Sequence, residues 1–393
     1  MTRRRDCPSC GSRNITVFYE AANVPAQSCL LLTDHASALA FPSRDLALGF
    51  CQSCGFITNV LFDPGVVSYS SMYEEQQSFS PRFNTFAREL ASRLIERYRL
   101  RDKDIVEIGC GKGDFLTLLC ELGPNHGIGI DPSYVPGRSD TPVASQTEFI
   151  QDLYSERYAH FPSDLLCCRH TLEHIYETGE FMRTVRRAIG DRKETAIFFE
   201  VPDVTRVLRE LAFWDIYYEH CSYFSLGSLA RLFRSAGFNV LDLAKGFDDQ
   251  YLLLDARPSN GLPAPSLAEE NDLEELARDV RYFADNYPAK IAAWSAEVES
   301  IREHRHRAVI WGSSSKCVAF LSTLKIRDEV EFVVDINPYR QGKYLAGSGK
   351  KIVAPAFLRE YQPDKVIVMN AIYCEEIRAD LDRMGLSPEL VAT

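Results

Sequence analysis

Ile105-Val106-Glu107-Ile108-Gly109-Cys110-Gly111-Lys112-Gly113-Asp114 is the stretch that decides the fold. An apolar run of strand character meets three glycines at alternate positions, and a helical pattern follows. A strand that turns sharply on glycines into a helix lets backbone N–H groups approach a ligand closely, and such turns belong to parallel βαβ architecture. The dinucleotide fingerprint is G-x-G-x-x-G, and here Asp114 falls where its last glycine would stand.

The spacing instead suits S-adenosylmethionine (SAM), whose carboxypropyl tail needs close backbone approach and carries no pyrophosphate. Glu107, Gly109, Gly111 and Gly113 are the candidate cofactor residues of the turn. Asp131 ends the next strand, at the distance where an acid holds ribose hydroxyls. Asp152 follows the third strand as a candidate adenine contact. A purely structural tight turn would need none of these acids.

The surroundings agree with that reading. Candidate strands at 105–109, 127–131, 147–150, 164–169, 195–201, 239–244 and 250–256 alternate with helical segments. The runs IVEIG, GIGID, DLLCC and AIFFEV are apolar throughout, as parallel strands covered on both faces must be. The seventh strand follows the sixth after a short turn, which predicts an antiparallel edge hairpin. The count predicts a doubly wound, seven-stranded α/β sheet. Upstream, Ser80-Pro81 starts a helix with a serine N-cap and proline at the first position. Phe83, Phe86, Ala87, Leu90, Ala91, Leu94, Ile95 and Tyr98 follow at helical spacing, so one face is buried.

The chain has 393 residues, enough for two or three domains at roughly 100–200 residues each. Its formal charge is −11. An acidic chain is a poor match to a nucleic-acid backbone, whose binding needs cationic side chains that release counterions. A nucleic-acid partner is therefore not expected. No stretch approaches the ~18 consecutive apolar residues of a membrane helix. No apolar segment follows Arg3-Arg4-Arg5 as it would in a signal peptide. A cytoplasmic location is expected, and the twelve cysteines read as metal ligands and buried thiols rather than disulfides.

Two cysteine pairs precede the glycine turn: Cys7-x-x-Cys10 and Cys51-x-x-Cys54. Two thiolates on one tight turn reach a single tetrahedral ion, and two such pairs make a closed site. Gly11 and Gly55 follow the second cysteine of each pair, where a knuckle needs a residue tolerant of positive φ. Cys7, Cys10, Cys51 and Cys54 are thus read as ligands of a structural Zn(II). The other eight cysteines lack such spacing and read as core or pocket thiols.

The expected organisation is a zinc-binding module over 1–70, the glycine-turn domain over 71–256, a linker and helices over 257–304, and a smaller Rossmann-like α/β domain over 305–393. Arg257 to Pro265 is a linker by composition, and 268–304 reads as helix interrupted near Pro288. The last domain opens at Ala308-Val309-Ile310-Trp311-Gly312-Ser313-Ser314-Ser315-Lys316 and continues through EFVVD (331–335) and KVIVM (365–369).

With the cysteine pairs and EIGCGKG, further runs carry a family resemblance. They are Arg169-His170-Thr171-Leu172-Glu173-His174-Ile175 and Tyr217-Tyr218-Glu219-His220-Cys221-Ser222-Tyr223-Phe224-Ser225. Near the C-terminus they are Trp311-Gly312 with Lys316, Val333-Val334-Asp335-Ile336-Asn337-Pro338, and Gln341-Gly342-Lys343-Tyr344. Over nearly its whole length the chain resembles the SAM-dependent sugar C-methyltransferases of deoxysugar biosynthesis. The resemblance implies an N-terminal zinc module, a class I methyltransferase core and a C-terminal domain that closes over a nucleotide-sugar. It departs at Tyr218, where many members have histidine, at Gly347-Ser348-Gly349, where Gly-Thr-His is usual, and at Cys317, where glycine is usual.

Methylating carbon needs a carbanion equivalent, hence an acidified C–H beside a ketone and a base to remove its proton. The resemblance implies that His220 is this base or holds it. Histidine titrates near neutrality, and a positioned base contributes ~10²–10⁴-fold. Glu219 would orient the imidazole or a substrate hydroxyl, and Tyr217 would stabilise the enolate or serve as the base. His170 ends the fourth strand and would steer substrate or stabilise charge. His174 is read as packing, and Glu200 as a ligand contact or a solvated strand-end acid. Tyr73 resembles a family tyrosine near the active site, and Lys316, Asn337 and Arg340 are candidate substrate contacts. The rival readings are an O- or N-methyltransferase on a small-molecule or sugar acceptor, and a non-catalytic SAM-binding scaffold. The sequence leaves the oligomeric state open.

Overall fold

The computed structural model describes residues 4–138, 143–261 and 264–393. Arg3 of the basic run and Leu262 and Pro263 of the expected linker lie outside the described residues. Among the described residues, sixteen strands follow one another along the chain. β1 (Ile15–Pro25), β2 (Ser43–Cys51) and β3 (Ile57–Asn59) come from the cysteine-bearing segment. β4 (Asp104–Ile108), β5 (His126–Ile130), β6 (Thr147–Ile150), β7 (Leu165–Arg169) and β8 (Ala196–Pro202) follow. Then come the two-residue β9 (Ser222–Tyr223), β10 (Phe238–Gly246) and β11 (Tyr251–Pro258). The C-terminal strands are β12 (Ala308–Trp311), β13 (Phe332–Val334), β14 (Lys351–Val353), β15 (Lys365–Val368) and β16 (Glu389–Ala392).

The central sheet has seven strands in the order β10-β11-β8-β7-β4-β5-β6. β4 lies between β5 and β7, all parallel, so the chain leaves β4 toward one side and later returns on the other. That reversal opens a crevice at the carboxyl ends of the strands, where ligands bind in open α/β sheets. β11 is antiparallel to both β8 and β10, so the expected hairpin is present. Its outer member is the sixth strand, with the seventh inserted beside β8.

The helix Pro81–Tyr98 packs on this sheet. Ser80 Oγ accepts from Phe83 N at 3.2 Å, a cap that contributes about 1 kcal/mol. Phe83, Ala87, Leu90, Ala91, Leu94 and Ile95 form its buried face, at the spacing read in the sequence.

The cysteine-bearing segment is not self-contained. Its four-stranded sheet has the order β1-β2-β3-β9, and β9 comes from the run after His220. Ile57 pairs with Tyr223 and Thr58 with Ser222. The module therefore holds the loop that carries Tyr217 to His220. The C-terminal sheet is all parallel, in the order β14-β13-β12-β15-β16. Short β14 and β16 escaped the sequence reading because each exposes residues that interrupt an apolar run.

Residues 268–304 differ from expectation. One helix runs unbroken from Leu273 to Glu303 with Pro288 inside it. Pro288 is exposed, on the side of the helix away from its packed face, and the apolar face on either side keeps the helix docked. That face meets residues of every unit: Trp214 and Trp294 lie 6.2 Å apart, Trp294 and Phe320 5.0 Å, and Tyr19 and Phe283 5.7 Å. Each such burial stabilises by about 1.5–3 kcal/mol. One core thus runs from the first module to the last domain. Among the described residues, no helix is long and apolar enough to cross a membrane.

Candidate active site

A cavity of about 760 Å³ opens at the carboxyl ends of β4, β5, β7 and β8, with walls from the N-terminal, central and C-terminal units. Cavities of roughly 300–1,000 Å³ hold small ligands and cofactors.

The glycine turn builds one half. Gly109, Gly111 and Gly113 have φ of +69°, +55° and +89°, a region closed to most side chains. A Cβ on Gly109 would lie 1.9 Å from Thr171 Oγ1, and one on Gly111 2.4 Å from Glu75 Oε1. Asp131 ties the turn down: its Oδ2 accepts from Gly111 N at 2.8 Å and its Oδ1 from Ser133 N at 2.6 Å. A carboxylate has about four acceptor positions, so capacity remains for ligand hydroxyls. Glu107 is buried, burial pushes its carboxyl up to about 8, and its Oε2 has no partner among the described residues. Asp152 lines the cavity, but Tyr158 and Arg157 engage its carboxylate. Next to it, Leu153 is 65% exposed on the same wall. A cradle of glycine backbone, an unpartnered buried carboxylate oxygen and an open apolar wall fit SAM.

A strap from Tyr73 to Ser80 crosses this half. Lys112, buried inside the turn, donates to Tyr73 O at 2.6 Å and Ser133 O at 2.7 Å. Gln76 Nε2 donates to Asp114 at 2.9 Å. Glu74 is fully buried: Arg138 donates to its Oε2 at 2.5 Å and Asn337 to its Oε1 at 2.9 Å, while Arg340 donates to its backbone oxygen. Asn337 and Arg340, expected at substrate, instead clasp this strap, although both also line the cavity. Lys316 lines the cavity as well, and its ammonium lies 2.9 Å from Asp215.

The other half is histidine-rich. His220 sits 4.6 Å from His174 and 4.2 Å from Tyr217, ring to ring. Burial drives the His220 imidazole well below its usual range, and the charges of His174, His170 and Lys316 push the same way. The neutral form is therefore the favoured one. Burial, then Asp215, holds the Tyr217 phenol well above its usual range, so it is a hydrogen-bond donor rather than a base. His170 is the opposite case. Burial would lower it, but Glu200 at 2.6 Å and Glu173 at 3.6 Å outweigh burial and lift it to about 9.

Glu219 does not orient the imidazole. Its Oε1 accepts from Ser28 N at 3.0 Å and Ser315 Oγ at 3.3 Å, joining the first module to the last domain. Tyr218, the departure from the family pattern, also points away: its hydroxyl accepts from Asp63 N at 2.8 Å. In this turn positions 217 and 220 face the cavity while 218 and 219 do not. Glu200 is neither solvated nor a ligand contact, because Arg169 forks it through two 3.0 Å bonds.

Sequence reasoning set His174 aside, yet it faces His220 and its Nδ1 lies 2.8 Å from Tyr69 Oη. Tyr69 was missed altogether. Its ring packs edge-on against Tyr73 at 5.1 Å, so the tyrosine named from sequence stands beside one that was not. The signal available was the His170-x₃-His174 spacing.

The cysteine quartet lies apart from the cavity. Cys7 and Cys54 Sγ are 3.7 Å apart, as are Cys10 and Cys51 Sγ. A tetrahedral ion with Zn–S ≈ 2.3 Å separates its sulfurs by about 3.8 Å, so the geometry fits such an ion. Gly11 and Gly55 both have positive φ, and their N–H groups bond to Cys7 O and Cys51 O at 2.8 Å. Arg231 docks the quartet on the central domain by donating to Cys54 O at 2.8 Å.

Comparison with known proteins agrees with this architecture. Residues 83–243 match a family described as a methyltransferase domain, and residues 266–386 match the C-methyltransferase C-terminal domain. The chain is a SAM-dependent methyltransferase that carries a C-methyltransferase C-terminal domain. It is 26% identical to the C-methyltransferase NovU of Streptomyces niveus over 393 residues, spanning 95% of this chain and 91% of that protein. Solved structures match more weakly. A SAM-dependent methyltransferase from Clostridium acetobutylicum is 10% identical, with TM-score 0.36, covering 45% of this chain and 92% of that one. The 1,6-didemethyltoxoflavin-N1-methyltransferase of Burkholderia thailandensis, solved with S-adenosylhomocysteine, is 17% identical, with TM-score 0.35, covering 44% and 79%. Scores this low carry no argument, and the fold rests on the strand order.

Proposed function

We propose that this methyltransferase acts on carbon of a nucleotide-linked keto-deoxysugar and that His220 is its general base. The observation that supports this most is that His220, buried beside Tyr217, lines the same cavity as the glycine turn. Bound SAM supplies an electrophilic methyl group. Glu107, the three glycines and Asp131 would hold it, with Asp152 and Leu153 beside the adenine. His220 takes the proton from carbon beside the ketone. The C–H electron pair becomes a C=C bond and the carbonyl π pair moves to oxygen. The Tyr217 phenol, kept protonated by its surroundings, donates toward that oxygen. Lys316, on the cavity wall and paired with Asp215, would meet an anionic part of the acceptor. The enolate carbon is then the nucleophile, and the proton on His220 leaves to solvent. In the same reading, the four cysteines bind a structural Zn(II) that keeps β3 paired with β9, and the protein works in the cytoplasm.

The test is to incubate enzyme with SAM and a panel of nucleotide-linked keto-sugars and locate the new methyl group by NMR. A methyl on the carbon beside the ketone is expected. A methyl on oxygen or nitrogen would overturn the assignment.

A further inference from the structure

We propose that Glu200 is a positioning residue: it fixes the His170 side chain as a cation that stabilises the negative charge arising on the acceptor oxygen. Glu200 grips His170 twice. Its carboxylate lies 2.6 Å from His170 Nε2, an ion-pair contact that lacks hydrogen-bond alignment, and its backbone oxygen accepts from His170 N at 2.9 Å. His170 has φ of +49°, a conformation that costs a non-glycine residue energy and persists where surroundings enforce it. Here that conformation directs the ring back over β8. His170 lines the cavity, with Nδ1 3.6 Å from Glu173.

Charge bookkeeping favours the same role. Arg169 already neutralises Glu200 through its bidentate fork. Arg169 and His170 together balance the Glu200 and Glu173 carboxylates, so an imidazolium at His170 sits in a neutral buried cluster. Buried ion clusters of this kind are costly to maintain for stability alone, and they gather where chemistry needs them. The groups facing His170 are Glu200 on β8, Glu173 on the following turn, Arg169 on β7 and the Tyr251 ring on β11 at 4.4 Å. His220, within reach of its charge, completes the set. Deprotonation by His220 and charge stabilisation by His170 would then act on one acceptor from two sides, as a preorganised electrostatic site requires.

This inference rests on the enolate reading, and its test separates the two. Histidine imidazole NMR of the unmodified enzyme should show His170 titrating near 9, as its surroundings dictate. With methylation as readout, wild-type kcat should fall as pH rises through that value, because the cation is lost. Glu200→Gln should move this basic limb at least one unit toward neutrality. It should lower kcat about tenfold or more at pH 8, recover toward pH 6.5 and leave KM for SAM within twofold. Glu200→Asp should restore part of the limb. An unshifted limb, or a loss equal at every pH, would overturn the proposal while leaving the carbon assignment intact. If Glu200→Gln does not fold, a wild-type His170 that titrates below 7 would still overturn it. Should no keto-sugar be methylated, the NMR titration still decides the charge of His170.

Discussion

The two halves of the cavity are built by different means. The cofactor half comes mainly from one continuous run, Glu107 to Asp114, with one acid from the next strand. Its geometry is local backbone geometry: three positive-φ glycines and a carboxylate that ties two turns together. The acceptor half is assembled from five separated segments of three units, around side chains whose charge states come from burial and neighbours. Local chemistry makes the first half robust and common to many methyltransferases. Tertiary placement makes the second half specific, and dependent on modules that hold no reacting group.

The largest effect that would separate the halves is expected at His220. His220→Asn should reduce kcat by ~10²–10⁴-fold while calorimetry shows SAM affinity unchanged. Equal damage to both would mean the halves are one unit. Next comes the metal module. If the four cysteines hold Zn(II) as proposed, Cys51→Ser should lower the zinc content found by elemental analysis, and lower kcat by about tenfold or more as the β3–β9 pairing loosens. SAM affinity should change less, because the glycine turn does not touch that sheet. At the other half, Gly109→Ala meets both a positive φ and Thr171. A strain of about 1–3 kcal/mol corresponds to roughly 5- to 150-fold weaker SAM binding, with kcat at saturating SAM largely kept. The smallest effect crosses the divide. Asn337→Ala removes a C-terminal donor from Glu74 on the strap. A lost bond of about 1 kcal/mol should raise S-adenosylhomocysteine release roughly fivefold in stopped-flow. No change would confine the C-terminal domain to the acceptor.

How much was legible follows the same division. The seven central strands fall within two residues of the sequence reading, and four of them, β4, β5, β7 and β8, appear as apolar runs because they lie inside the parallel sheet. The cysteine quartet was legible because spacing and following glycines encode its knuckles. Glu219 was not: adjacent to His220 in sequence, it points into an interface between two other units. Tyr69 escaped because no local pattern marks it, and His174 because its spacing from His170 was not given weight. Glu200 read as a strand-end acid, and only the fold shows Arg169 and His170 closing on it. Pro288 misled because its helix is held by docking, which outweighs one missing hydrogen bond.

The most direct test is isotope exchange without methyl transfer. Wild-type enzyme with S-adenosylhomocysteine and a keto-sugar in deuterium oxide should place deuterium at the carbon beside the ketone, and His220→Asn should not. Methylation at carbon by a wild-type enzyme that exchanges nothing, or exchange by the variant at the wild-type rate, would contradict His220 as the base.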